Sequence, residues 1–72
     1  MSMIDPWEKA AECERSLQAT ADPQRRYALR HLRDLWIGVG NESGFMTPDK
    51  LAREIEAIGR LHADFAATPA VH

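Results

Sequence analysis

An all-α fold of three helices is what this sequence predicts, and three observations carry it. Asp5-Pro6, Asp22-Pro23 and Thr47-Pro48 each place a capping side chain directly before a proline. The side-chain oxygen can accept from an orphan N–H of the first helical turn, and proline at the first position forfeits only an N–H that would be unpaired anyway. After each cap, apolar residues recur at three- and four-residue spacing, as one face of a helix requires. The only real loop between these segments is Asn41 to Met46, and no internal repeat, low-complexity tract or interdomain linker interrupts them.

The first helix is expected from about Asp5 to Ala21, with Glu8 adding a capping-box-like partner to Asp5. Trp7, Ala10, Ala11, Leu17 and Ala21 fall on one side, with Cys13 and Thr20 at its edge. That face is narrow and alanine-rich, so it permits close approach but buries little area. Glu14 lies near it as a rim residue, reaching either solvent or an arginine of the second helix.

The second helix, about Asp22 to Glu42, carries most of the core through Ala28, Leu29, Leu32, Leu35, Trp36 and Val39. Arg26, Arg30, Arg33 and Asp34 are expected on the opposite side, with Ile37 among them and Tyr27 at the other margin. Gly38 and Gly40 each weaken the last turns by about 1 kcal/mol relative to alanine, so fraying or bending is expected there, with Gly44 as terminator. The third helix runs from about Thr47 to Ala66. Leu51, Ile55, Ile58, His62 and Phe65 form a 4-3-4-3 seam with Leu61 beside it, too short for an independent coiled coil. Met46 can staple onto Leu51, and Gly59 permits a close helix contact. The expected organisation is a single three-helix domain over 1–66, an up-down bundle, followed by a flexible tail over 67–72.

A 72-residue chain buries only about 60% of its unfolded surface. Its core would rarely contribute more than about 3–5 kcal/mol without reinforcement. The lone Cys13 excludes an internal disulfide, and His31, His62, His72 and Cys13 lack the paired spacing of a structural zinc site. Oligomerisation is therefore the expected reinforcement. Ile37, apolar among arginines, adds to the case for a second buried face. The single cysteine, a charged N-terminal segment and the lack of any long apolar run fit a reducing cytoplasm and no membrane association.

The net charge of −2 is unevenly distributed. Residues 1–21 set Lys9 and Arg15 against Asp5, Glu8, Glu12 and Glu14. Residues 22–40 set Arg25, Arg26, Arg30 and Arg33 against Asp22 and Asp34. Residues 41–72 set Lys50, Arg53 and Arg60 against five carboxylates. A basic middle between acidic flanks favours self-association or internal pairing over a nucleic-acid field.

Three constellations bear on function. His62, within the third-helix seam, is either a metal ligand, pH switch or general base, or a core or interface histidine satisfied by Glu14 or a backbone carbonyl; the latter is favoured. Cys13 lies between Glu12 and Glu14, whose charges raise a thiol pKa, so a packing role is favoured over a reactive one. Arg26, Arg30 and Arg33 share a face that could track phosphates, against a solvated face paired with the acidic flanks; the second is favoured. No phosphate-binding loop, zinc-protease helix or nucleophile elbow is present, and no cofactor is implied.

The stretch Trp7 to Trp36 resembles a group of short alphaproteobacterial helical-hairpin proteins with no known activity. Ala11-Glu12-Cys13, Asp22-Pro23, Arg25 or Arg26, Leu29, Leu32 and Trp36 carry the resemblance. It implies a bacterial cytosolic source and an antiparallel pairing of the first two helices, and it transfers no chemistry. The favoured function is a non-catalytic self-associating or protein-binding module, a homodimer first and another protein second. Its core and interface would rest on Trp7, Leu32, Trp36, Ile37, Ile55, Ile58, His62 and Phe65. The alternative is a nucleic-acid-binding regulator using Arg26, Arg30 and Arg33. Catalysis is not expected, the sole exception being a subunit-interface site around His62 and Glu14.

Overall fold

The computed structural model describes residues 4–67. Helix α1 spans Pro6–Ala19, α2 spans Pro23–Glu42, a single 3-10 turn covers Ser43–Phe45, and α3 spans Pro48–Ala67. The fold is all-α, with no strand among the described residues. Of the tail expected over 67–72, Ala67 is the last residue of α3, and the rest lies outside the described residues. No described helix is long and apolar enough to cross a membrane.

All three caps operate as the sequence predicts. Asp5 Oδ1 accepts from the Trp7 N–H at 3.0 Å, Asp22 Oδ1 from Gln24 at 3.1 Å, and Thr47 Oγ1 from Lys50 at 3.2 Å. Each cap's own carbonyl takes the first intrahelical bond, at 3.0 Å from Lys9, 2.9 Å from Arg26 and 2.9 Å from Leu51. Helix α1 stops two residues before the expected Ala21 because Thr20 turns extended. Asp22, before a proline, must be extended as well, which leaves the intervening residue no helical turn to join. The Thr20 N–H closes the end of α1 on the Leu17 carbonyl at 3.3 Å, and the Leu17 and Thr20 carbonyls also accept from the Arg26 guanidinium of α2.

At the far end of α2 the glycines do not fray the helix, which continues to Glu42. No glycine has a positive φ, so Gly44 is not the left-handed terminator the sequence suggested. The chain tightens instead from α-helix into the 3-10 turn, and the Ser43 hydroxyl donates to the Gly40 carbonyl at 2.9 Å.

Helix α2 is the element against which both others pack. Trp7, at the start of α1, lies over Gly40 near the end of α2, while Leu17 meets Arg26 at its beginning. Phe65, near the end of α3, sits under the Arg25 guanidinium at 4.3 Å from the ring centroid. The buried residues are Ala10, Cys13 and Leu17 from α1, Leu29, Leu32, Trp36 and Val39 from α2, and Ile58 alone among the large side chains of α3. Leu51, Ile55 and Phe65 are only partly buried against that core.

Two glycines of α2 have opposite environments. A Cβ on Gly38 would meet nothing within 4 Å, whereas one on Gly40 would lie 2.6 Å from the Trp7 ring. Gly38→Ala should therefore raise stability by about 0.5–1 kcal/mol. Gly40→Ala should show none of that gain and should expel the indole, moving Trp7 fluorescence to longer wavelength; urea titrations and emission spectra of both variants test this. Trp36, wholly buried at the meeting point of the three helices, should cost about 3–5 kcal/mol on truncation to alanine. A Trp36→Ala variant with a near-wild-type urea midpoint would remove it from that position.

Candidate binding groove between the first and third helices

The core buries Trp36 but leaves its edges open. Around α2, taking Leu29 as the origin at about 100° per residue, Arg33, Arg26 and Ile37 stand at roughly +40°, +60° and +80°. Arg25, Leu32 and Val39 stand at roughly −40°, −60° and −80°. Arg26 and Arg33 of the first set reach α1, and Arg25 of the second lies over Phe65 of α3. The arginine row expected on the solvent side is thus on the edge facing α1. Arg26 bonds the end of α1, and Arg33 holds Glu14 at 2.7 Å and Asp34 at 3.3 Å. Arg30 alone is exposed and without a partner among the described residues. Ile37, one turn beyond Arg33, is partly buried against the core and is not stranded among solvated charges.

His62 and Glu14, paired in the sequence reading, are separated by the fold. Glu14 is the rim residue that reaches an arginine of α2, while His62 finds a different partner. The Trp36 Nε1–H donates to His62 Nδ1 at 3.2 Å, with the rings 6.2 Å apart at 55°. That bond requires Nδ1 to be unprotonated, which selects the neutral tautomer with hydrogen on Nε2. Burial pushes the His62 pKa below its ordinary value, the Lys9 ammonium adds to the effect, and Glu12 opposes it. Cys13 is fully buried in the same core, and burial, more than the neighbouring Glu12 charge, pushes its thiol pKa up. An inert packing cysteine is the result.

Above Trp36 and His62, α1 and α3 leave a cleft of about 250 Å³, lined by Ile4, Lys9, Glu12, Gly59, Ala63 and Ala66 as well as the two rings. Lys9 and Glu12 pair with each other at 3.3 Å on its α1 rim. Further along, an open apolar groove of about 650 Å³ is lined by Ile4, Ser43, Met46, Pro48, Leu51, Ala52, Ile55 and Glu56. Ile4 borders both. Met46 and Leu51, expected to staple, share this wall.

On a wheel centred on Ile58, Pro48, Ala52, Gly59, Ala63 and Ala66 fall within an arc of roughly 60°. The two hollows therefore lie along one flank of α3, the smaller against Lys9 and Glu12 of α1 and the wider against Ile4 and the connection from α2. This flank was missed in the sequence because alanines and glycine carry almost no amphipathic signal beside the Leu/Ile seam. Their alignment was nonetheless legible at helical spacing. Of the exposed large apolar side chains, Ile4 lines both hollows and Phe45, 92% exposed, lies in the turn between Ser43 and Met46 of the wider one; Trp7, Tyr27 and Leu61 line neither.

The expected core and interface residues thus divide. Leu32, Trp36 and Ile58 are buried, Ile37, Ile55 and Phe65 partly so, His62 caps the indole, and Trp7 lies half exposed over Gly40. Among the described residues, no three of His, Cys, Asp and Glu converge on a point where a metal ion could be held. The chain matches no family model, no curated protein and no solved structure.

Proposed function

We propose that the chain is a non-catalytic self-association module: one up-down three-helix bundle over 1–66 that pairs the open flank of α3 with the same flank of a second copy in the cytoplasm. The observation that carries this is the pair of hollows along one flank of α3, the wider lined mainly by apolar side chains and the smaller by the buried Trp36. Small residues along the flank let a second helix approach closely. Its rim charges are already matched in sign: Glu56 and Arg60 pair at 2.6 Å, both well exposed, and Lys9 pairs with Glu12.

A rim of paired opposite charges gives no net attraction to a strongly acidic or basic partner and suits one with its own alternating pattern. An antiparallel two-fold axis at the level of Ile58 brings the Glu56 of each copy beside the Arg60 of the other. An isologous contact of this type needs no further partner. Self-pairing also supplies the burial that a chain of this length lacks. The nucleic-acid reading loses support, since Arg26 and Arg33 are committed to α1 carbonyls and to carboxylates.

Size-exclusion chromatography with light scattering on the full chain is the test. A dimer is expected, and Ala63→Arg, which places a bulky charge in the groove wall at an exposed position, should weaken it by about tenfold or more without lowering helix content. A wild-type monomer at high micromolar concentration would overturn the reading and leave the groove to a different protein or a small apolar ligand. An intact Ala63→Arg dimer would move the interface elsewhere on the surface.

A further inference from the structure

Resting on that groove reading, we infer that the Trp36–His62 hydrogen bond is an acid-sensitive latch: protonation of His62 undocks α3 from α2 and thereby dissolves the paired flank. The geometry makes the latch one-sided. The Trp36 indole is wholly buried, and its N–H bonds His62 Nδ1. A buried donor deprived of its acceptor carries the full cost of its desolvation. An imidazolium has hydrogen on both nitrogens, so proton uptake turns the acceptor into a second donor pointing at the first. No rotation of the ring restores an acceptor.

The charges around His62 do not offset this. From α1 it is faced by Lys9 and Glu12, which pair with each other. From α2 it is faced by the indole itself. On α3 its neighbours along the cleft are Gly59, Ala63 and Ala66, while Arg60 and Asp64 leave the helix roughly 160° away. The one nearby carboxylate is therefore already engaged by an ammonium. The element that depends on the bond is also the most weakly held, since α3 buries no large side chain but Ile58.

The sign follows from linkage. Above the unfolded histidine value of about 6.5 both states are neutral and the latch contributes fully. As pH falls below it the unfolded or undocked state takes up the proton first, and stability is lost progressively down to the lower folded value.

The test is a titration of the full ¹⁵N-labelled chain from pH 7.5 to 5.0, following the Trp36 indole N–H resonance and the melting temperature, with sedimentation velocity at both ends. The wild type should lose its folded indole resonance and several degrees of melting temperature, and its dimer should dissociate. His62→Gln keeps an acceptor oxygen without a titrating group and should abolish all three changes, although His31 and His72 remain. A wild-type indole resonance that stays fixed across the range, or a His62→Gln variant with undiminished pH dependence, overturns the latch. A chain that is monomeric at both ends but whose indole resonance moves supports the latch and overturns self-association instead.

Discussion

An indole N–H taken wholly out of water must find an acceptor, and Trp36 is buried where all three helices meet. Its acceptor is His62 Nδ1 on α3, so the largest side chain of the core and the docking of the last helix are one problem. Everything else in the packing follows from filling space around that ring. Cys13 and Ala10 are small because α1 passes close to it, and Ile58 inserts from the other side. The histidine must stay neutral for the arrangement to persist, which makes a packing contact into a titratable one.

Helix α2 can be central because its two edges are written differently. The α1 edge is arginine-rich and answers the backbone and carboxylates of α1: Arg26 bonds the Leu17 and Thr20 carbonyls at its end, and Arg33 holds Glu14. Arg26 matters more to the architecture than an exposed ion pair, which contributes roughly 0–1 kcal/mol, because its part-buried guanidinium ties the end of α1 to the start of α2 through two backbone carbonyls. The α3 edge is apolar, and Leu32 and Val39 offer no directional bond. Registration of α3 therefore falls to Trp36–His62 and to the Arg25 guanidinium over Phe65. Such a cation–π contact is worth about 0.5–1 kcal/mol at exposed sites.

Much of this was legible in the sequence, and the misses have physical causes. The three acid- or threonine-proline caps located the helix starts to within a residue, because that chemistry is local. The core stripe of α2 was readable from periodicity, with Leu29, Leu32, Trp36 and Val39 all buried. The arginine row was read as a solvated face paired with the acidic flanks: Arg33 does hold Glu14 and Arg30 is exposed, but Arg26 turns onto the end of α1, because a wheel records angle without recording where a neighbouring helix ends. Gly40 was read as a weakness because propensity is a local quantity, whereas the indole of Trp7 lies against it across the interface. His62 was correctly read as satisfied, but by a donor on α2 rather than by Glu14. A histidine and a tryptophan 26 residues apart give no local signal of their pairing.

The open flank of α3 and the titratable latch are linked by the same shortage. Helix α3 carries Leu51, Ile55, Ile58, Leu61 and Phe65, yet only Ile58 is buried, with Leu51, Ile55 and Phe65 partly so and two directional contacts beside them. Segments with few buried apolar contacts open at lower free energy than the rest of a fold. A second copy laid along Ala52, Gly59 and Ala63 would add burial to the helix that lacks it. On the proposed reading, concentration and pH would act on one equilibrium from opposite sides: self-pairing would hold α3 down, and a proton on His62 would lift it.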